Sequence, residues 1–233
     1  SRGLGDVYKR QMYVSERMTR YPATVMPNYS VSKAYQRMTE GHYSQLPVVD
    51  SDNKLIGLVT EKLLAEVNPS SATSLSVYEI NYLLSKTKVQ DIMKTGIFKI
   101  NKDALIEDAA IIMKENRISS LPVVEGDNYL AGIITRTDIF KAFIDIMGVK
   151  ATGTRIAITT EDKVGVLADI TSILAQHNIN IRNITDISEN GKSEITIKVR
   201  SLDATAAVED IKAKGYNAVS YTHLRAHETL RHL

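Results

Sequence analysis

The chain has 233 residues, of which 43% are hydrophobic and 24% are charged, and its formal net charge is +2. This balance excludes a disordered or fibrous chain, and the small charge gives no basic face that would indicate nucleic-acid binding. The sequence contains no cysteine, which excludes disulfides and thiolate metal sites. No apolar run approaches the roughly 18–20 residues that span a bilayer. We therefore expect a cytoplasmic protein that binds neither nucleic acid nor a membrane.

The two ends of the chain differ from the rest. Residues 1–11 precede the first methionine, and residues 222–233 show no clear apolar period. We interpret both as foreign extensions and exclude them from the prediction of the fold. Three of the five histidines, His223, His227 and His232, fall in the second extension and are not interpreted as a metal site.

An internal repeat organises the first two thirds of the chain. Short motifs recur 75 positions apart without a gap, and such self-similarity indicates two copies of one structural unit. The matched pairs are Val14 and Val89, Met18 and Met93, Leu46–Asp50 and Leu121–Glu125, and Gly57–Thr60 and Gly132–Thr135. We expect one unit at 12–68, a linker with a helix at 69–88 and a second unit at 89–148.

Each copy is predicted to run strand, helix, strand, turn, strand, helix. In the second copy we expect a strand at Ile97–Ile100, a helix capped by Asp103, and a last helix at Thr137–Met147. A unit of this size buries too little surface to be stable alone. The two copies should therefore pack together around a pseudo-twofold axis.

The repeated Leu-Pro-Val-Val strand, the polar turn and the segment Gly132–Asp138 resemble the cystathionine-β-synthase-type (CBS) domain. A tandem pair of such domains is a Bateman module. The resemblance covers residues 12–148 and implies a sensor without a catalytic cofactor. It implies a ligand such as AMP, ADP, ATP or S-adenosylmethionine, bound in a cleft between the two copies.

The resemblance also implies which residues form the nucleotide site. Backbone N–H groups and the hydroxyls of Thr135 and Thr137 would meet a phosphate at the start of the last helix. The Asp138 carboxylate would accept hydrogen bonds from the ribose hydroxyls. The full expected set is Tyr21, Ala23, Tyr43, Ser44, Gln45, Pro47, Ile133, Thr135, Arg136, Thr137 and Asp138.

The first copy departs from this pattern. Leu63 stands where the second copy has Asp138, and Glu61 would repel a phosphate. The second cleft, which Phe98, Ile118 and Ser120 would complete, therefore lacks its ribose acceptor. We expect one nucleotide site per chain.

The pattern changes after about residue 152. A strand at Arg155–Thr159, an amphipathic helix, two strands joined by an Asn190-Gly191 turn, a second helix and a last strand give the order βαββαβ. The segment Asp162–Leu167 and the strand Ile179–Ile181 resemble the ACT domain, over about residues 152–221. The predicted fold class is thus mixed α/β (α+β), a tandem CBS-domain pair followed by a ferredoxin-like ACT domain.

The ACT resemblance leaves two roles open. One is an amino-acid site, in which backbone amides near Gly165 meet a carboxylate and Asn180 completes the site across a domain interface. Its expected residues are Asp162, Gly165, Val166, Leu167 and Asn180. The other role is dimerisation alone.

The domain order resembles bacterial proteins that are accessory to acetoin utilisation. We expect a non-enzymatic regulatory sensor that forms a homodimer through an apolar stripe on the last CBS helix (Ile139, Phe140, Phe143 and Ile146) and through the open ACT sheet edge. A structural protein without ligand is the alternative, and a nucleotide-hydrolysing enzyme is a remote one. His42 and His177 stand alone, with no partner at catalytic spacing.

Overall fold

The computed structural model describes residues 12–67, 77–148 and 152–223. The linker residues 68–76 and most of both extensions, with His227 and His232, lie outside the described residues. The contacts divide the chain into two units, one ending at Phe140 and the other beginning at Lys141. None of the helices in the described ranges combines the length and hydropathy needed to cross a membrane.

The first unit contains both copies of the repeat. Its elements in chain order are α1 (Val14–Arg17), β1 (Thr19–Arg20), α2 (Val31–Glu40), β2 (Gln45–Val49), β3 (Leu55–Thr60), α3 (Glu61–Val67), α4 (Val77–Lys86), α5 (Val89–Ile92), β4 (Ile100–Asn101), α6 (Ile106–Glu115), β5 (Ser120–Glu125), β6 (Tyr129–Thr135) and the start of α7 (Arg136–Ile146).

Each copy forms an antiparallel hairpin, β2–β3 or β5–β6, and an amphipathic helix, α2 or α6, packs against it with its buried side chains. The apolar positions of the hairpins alternate with half-exposed ones on β3 and β6, as expected when one face is covered. Four side chains at equivalent positions, Val49, Leu55, Val124 and Leu130, form a small shared core between the copies.

The first residues of each copy, 13–20 and 88–95, which we call its leader, are bound to the other copy. The N–H of Val14 donates to the carbonyl of Ala104 at 2.9 Å, and the equivalent N–H of Val89 donates to Tyr29 at 2.8 Å. Strand β1 pairs with β6 of the second copy, with Thr19 opposite Ile133. In the same way, Lys94 forms a bridge with Leu58 of the first copy. The two copies therefore interlock by a reciprocal exchange that their separate patterns do not reveal.

Two predicted details of the second copy are wrong. The strand expected at Ile97–Ile100 is limited to β4. Asp103 does not cap α6; instead the carboxylate of Asp108 accepts from the N–H of Leu105 at 3.2 Å. A carboxylate in the first turn satisfies a free helix N–H as well as a preceding cap does.

The second unit has a four-stranded antiparallel sheet with two helices. Its elements are β7 (Gly153–Glu161), α8 (Val166–Gln176), β8 (Ile181–Glu189), β9 (Lys192–Val199), α9 (Thr205–Ala213) and β10 (Asn217–His223). The strand order β10-β7-β9-β8 is the one that a βαββαβ chain gives. Asn190 and Gly191 both have positive φ, 53° and 75°, as a two-residue hairpin turn requires.

The core of the second unit lies between one face of its sheet and both helices. Its buried side chains are mainly isoleucines, including Ile156, Ile158, Ile170, Ile197 and Ile211. Because successive strand residues point to opposite faces, the odd-numbered positions of β9 enter this core, and its even-numbered positions lie on the other face of the sheet.

The interlock can be tested at Gly132, where the leader of the first copy crosses β6. A Cβ there would lie 2.6 Å from the sulfur of Met18 and 2.7 Å from the carbonyl oxygen of Thr19. We expect Gly132→Ala to lower the free energy of unfolding by about 1–3 kcal/mol, since overpacking strains both segments. Urea denaturation measures this loss.

Gly57→Ala is the matched control. A Cβ at Gly57 meets the flexible Met93 side chain at 2.7 Å and the nearest backbone atom at 3.0 Å. Its cost should be smaller than that of Gly132→Ala, because a side chain can move more easily than a strand. A neutral Gly132→Ala variant would contradict the close packing of the leader.

Candidate functional site

A cleft of about 270 Å³ lies where the leader of the first copy meets the hairpins of both copies. Eight of the eleven residues expected for a nucleotide site line it: Tyr21, Ala23, Tyr43, Ser44, Gln45, Pro47, Ile133 and Thr135. The pairing of β1 with β6 brings them together, because it places the leader beside the strand that ends at Thr135.

Two tyrosines stand at the mouth of this cleft. The side chain of Tyr21 is 94% exposed and that of Tyr43 is 44% exposed. Tyr21 also has a φ of 51°, a backbone conformation that residues other than glycine rarely adopt. Exposed aromatic rings beside a concave surface offer flat faces for a planar ligand.

Four further residues complete the lining, and the sequence did not identify them for this cleft: Thr19, Pro22, His42 and Ser120. His42 is not predicted to be a functional residue, because no partner stands at catalytic spacing in the sequence. Ser120 was assigned to the other cleft, but the Gln45 amide donates a hydrogen bond to its hydroxyl. Gln45 and Ser120 are equivalent positions of the repeat, so this contact lies at the pseudo-twofold axis. The 75-residue offset was the signal that could have found it.

The helix start beside the cleft is already hydrogen-bonded within the chain. The Oδ2 atom of Asp138 accepts from the N–H of Thr135 at 2.9 Å and from its hydroxyl at 2.7 Å. The N–H of Asp138 donates to the Thr135 hydroxyl at 3.3 Å, and the N–H of Arg136 donates to Ser119 at 2.9 Å. The prediction that these backbone groups are free for a phosphate is therefore wrong for Thr135, Arg136 and Asp138.

What this helix start can still offer a ligand is limited to a few groups. Arg136 and Thr137 are exposed and Asp138 is half-buried, and none of the three is part of the cleft lining. In the described part of the chain, the Oδ1 atom of Asp138 has no hydrogen-bond partner. The Arg136 guanidinium, the Thr137 hydroxyl and this carboxylate oxygen are thus the groups available to a sugar and a phosphate.

The equivalent helix start in the first copy has a different chemistry. The N–H of Leu63 donates to the Thr60 hydroxyl at 3.2 Å, which reproduces one hydrogen bond of the Asp138 turn. The N–H of Glu61 donates to Ser44 at 2.9 Å, as Arg136 does to Ser119. The backbone is therefore preserved, while the carboxylate is replaced by an apolar side chain and the guanidinium by an acid.

In the second unit, four of the five expected ACT residues lie together. Asp162, Gly165, Val166 and Leu167 line a cavity of about 190 Å³, and Gly165 has a φ of 98° at the start of α8. The same cavity contains Asp186, whose carboxylate accepts from Ser193. The lining also contains Glu161 and Lys163, which form an ion pair. The two aspartates are left without a cation of this lining, and they disfavour a ligand carboxylate.

Asn180 lies in a different part of the second unit. It lines a cavity of about 390 Å³ with His177, Arg200 and the first turn of α9. His177 Nε2 is 2.7 Å from the Asp210 carboxylate there. A single chain therefore does not bring Asn180 to the Gly165 turn, and its expected role across an interface stays a prediction.

The architecture defines a class of protein: two interlocked copies of one α/β module with a cleft between them, followed by a βαββαβ domain. The CBS domain model matches residues 14–68 and 89–145, and the ACT domain model matches residues 154–215. The chain belongs to the CBS-domain family and has an ACT domain on the C-terminal side of the pair. The predicted family and fold class are confirmed.

Known proteins similar to this chain match mainly its CBS pair. CBSX1, a chloroplastic CBS domain-containing protein of Arabidopsis thaliana, is 34% identical over 139 residues, which are 52% of this chain and 59% of CBSX1. The chain thus spans less than two thirds of this curated relative.

Two solved structures have the same fold over this region. CBSX2 of Arabidopsis thaliana, in complex with AMP, is 30% identical with a TM-score of 0.50, covering 58% of this chain and 98% of that one. A provisionally assigned acetoin utilization protein (AcuB) from Vibrio cholerae is 27% identical with a TM-score of 0.50, covering 60% of this chain and 95% of that one.

Proposed function

We propose that the chain is a non-enzymatic regulatory sensor that binds an adenine nucleotide in the cleft between its two CBS copies. The observation that carries the proposal is the cleft itself, in which eight expected residues from both copies face one concave space. The crystal structure of the CBSX2 neighbour in complex with AMP supports this ligand class. AMP, ADP, ATP and S-adenosylmethionine share the adenosine group that such a cleft would hold.

The cleft and the helix start beside it would each contact one part of the ligand. The rings of Tyr21 and Tyr43 and the methyl group of Ala23, which line the cleft, would contact the faces of adenine. The cap that Asp138 makes with Thr135 holds the carboxylate in one orientation and leaves Oδ1 to accept from ribose hydroxyls. Arg136 and Thr137 are the donors for a phosphate.

Sensing of the nucleotide would follow from the reciprocal binding of each leader to the other copy. A ligand that contacts the leader of one copy and the helix start of the other binds most tightly when the two copies adopt one packing. The hydrogen bond between Gln45 and Ser120 crosses the pseudo-twofold axis at the edge of the cleft. A nucleotide that alters this contact changes the packing of both copies.

The first alternative is a structural protein that binds no ligand, and one observation favours it. The backbone N–H groups of Thr135, Arg136 and Asp138 already donate hydrogen bonds within the chain and need no anion. The remote alternative is a nucleotide-hydrolysing enzyme. That activity usually requires a metal, and the described residues hold no group of three or more histidines and acids that could bind one.

We further propose that the chain forms a homodimer through α7. Of the expected stripe, Phe140 and Ile146 are exposed and Phe143 is half-buried, whereas Ile139 is 5% exposed and packs inside its own chain. Phe140, Ile144 and Met147 are 65%, 37% and 45% exposed and stand at spacings of four and three residues. An apolar stripe of this kind is typical of a helix that packs on a partner.

The ACT domain adds a second pairing surface. Strand β8 pairs only with β9 among the described strands, and Ile187 on it is 61% exposed. Unpaired strand edges favour pairing with another chain. Dimerisation is thus the proposed role of the ACT domain, and an amino-acid site at Gly165 is the alternative to it.

The nucleotide site is tested by two substitutions at one residue. Asp138→Ala removes the ribose acceptor and should weaken AMP binding by about 10–150-fold, which corresponds to roughly 1.5–3 kcal/mol. It also removes a helix cap, at a cost of about 1 kcal/mol in stability. Isothermal titration calorimetry and thermal unfolding measure the two effects separately.

Asp138→Asn is the matched control for the fold. Its amide oxygen can still accept from Thr135, so its melting temperature should stay close to that of the wild type. Its amide nitrogen cannot accept from ribose, so AMP affinity should still fall. Unchanged AMP affinity in both variants would refute the site.

The asymmetry of the two copies predicts the stoichiometry of binding. Titration with AMP should give about one nucleotide per chain, because Leu63 offers no acceptor to ribose in the second cleft. Leu63→Asp should add a weak second binding event, which the acidic Glu61 would keep weak. Two equivalent sites in the wild-type chain would contradict this account.

The homodimer is tested by light scattering at micromolar concentration. Phe140→Glu places a charge in the apolar stripe and should shift the protein towards the monomer. Lys141→Glu changes an exposed neighbour on the same helix and should leave the dimer intact. A wild-type chain that is a monomer with and without AMP would rule out the assembly.

A further inference from the structure

A buried lysine lies on the sheet face of the second unit that is not packed against α8 and α9. Lys198 is 4% exposed, and the hydrogen bond of its ammonium is to the carbonyl of Gly153 at a long 3.4 Å. An ammonium group can donate three hydrogen bonds. A buried charge normally has an ionic partner, because its removal from water costs several kcal/mol.

The neighbours of Lys198 increase this cost. Arg155 lies directly opposite Lys198 on β7, and the bulge of β8 places Arg182 next to Asn183, which faces Lys198 on the other side. Like charges directly opposite on a sheet are destabilising. Burial, and then the charges of Arg155 and Arg182, lower the pKa of Lys198.

One row across the sheet consists of Tyr221, Arg155, Lys198 and Asn183, with Arg182 in the bulge beside it. The uncharged side chains of this row are also hydrogen-bond donors. Tyr221 is the partner of Arg155 on β10, and the amide of Asn183 donates to the carbonyl of Ile146 at 2.9 Å. No ion pair joins Lys198, Arg155 or Arg182 to a carboxylate within the described ranges. The row therefore holds hydrogen-bond donors and three cations at neighbouring positions of adjacent strands.

The end of α7 does not balance this charge. Its last carbonyl groups approach the row through Asn183, and Gly148 lies beside the Arg182 side chain. A helix C-terminus is equivalent to about half a negative charge, and Asp145 in the last turn of α7 adds at most one more, whereas the row carries three positive charges. A negative group of larger charge is needed to compensate the remainder.

We propose that Arg155, Arg182 and Lys198 form a binding site for a multiply charged oxyanion on the face of the ACT sheet opposite α8 and α9. Arg182 is exposed and Arg155 is half-buried, so the anion approaches from the side of the guanidinium groups, and Lys198 lies beneath. Guanidinium groups bind phosphate and carboxylate oxygens in pairs. The absence of an acidic residue from the row disfavours amino acids, because their ammonium group would face three cations.

The test is thermal unfolding of the full chain in millimolar inorganic phosphate or succinate, with ionic strength held constant by sodium chloride. At least one of these anions should raise the melting temperature of the wild type above that of the chloride control. A response to phosphate alone identifies a phosphate group as the ligand, and a response to succinate alone identifies a dicarboxylate. Glycine should give no response, and stabilisation by glycine that requires Lys198 would overturn the ligand class.

Lys198→Met keeps the apolar stem and removes the charge. It should weaken anion binding by at least about tenfold, while the unliganded protein unfolds at the same or a higher temperature, since an uncompensated buried charge is gone. Arg155→Gln should also lose the response, and it tests the site even if the Lys198 variant does not fold. Lys192→Met, at the exposed far end of the same strand, should respond like the wild type.

Equal anion stabilisation of the wild type, Lys198→Met and Arg155→Gln would overturn the site, and so would the absence of any specific stabilisation in the wild type.

Discussion

The antiparallel pairing of Thr19 with Ile133 is the constraint on which the cleft depends. It ties the leader of the first copy to the last strand of the second copy. Tyr21 and Ala23 come after the leader, Thr135 is the last residue of the strand, and Asp138 lies in the first turn of the helix that follows. A slip of one residue would turn every side chain of this short strand to the other face. The leader thus sets both the stability of the pair and the geometry of its cleft.

A symmetric backbone carries an asymmetric chemistry. The reciprocal contacts of Val14 and Val89, and of Asn53 and Asn128, show that the two copies are held by the same bonds in both directions. The helix starts differ in their side chains, since an acid and an apolar residue in the first copy stand where an arginine and an acid stand in the second. One backbone therefore presents two helix starts of different charge, and this difference is the basis of the proposed single nucleotide site.

The sequence predicted the parts of this fold that depend on local patterns. The gapless offset of 75 identified the two copies, and the turn residues Asn190 and Gly191 fixed the hairpin of the second unit. The exchange of leaders was not predictable in this way, because the residues that pair are far apart and no local signal marks them. The same limit explains Ser120, whose partner Gln45 lies across the axis.

Site chemistry was harder to predict than site position. Eight expected residues line the cleft, yet the capping bonds of Thr135 and Asp138 occupy groups that the motif suggested for the ligand. The N–H groups of a helix start bond to a side chain of the same chain whenever one is within reach. The sequence does not reveal whether such a side chain or a ligand accepts from a given N–H group. The cationic row around Lys198 could not be predicted from the sequence either, because its members come from three strands that are brought together only by the sheet.

We propose that one adenine nucleotide is held between the two copies at the Thr135 cleft. A crystal structure of the full chain grown with saturating AMP is the decisive test. It should contain one AMP per chain, with its adenine against Tyr21 and Tyr43 and its ribose hydroxyls on Asp138. A structure in which that cleft is empty, or in which AMP occupies only the cleft at Leu63, would contradict it.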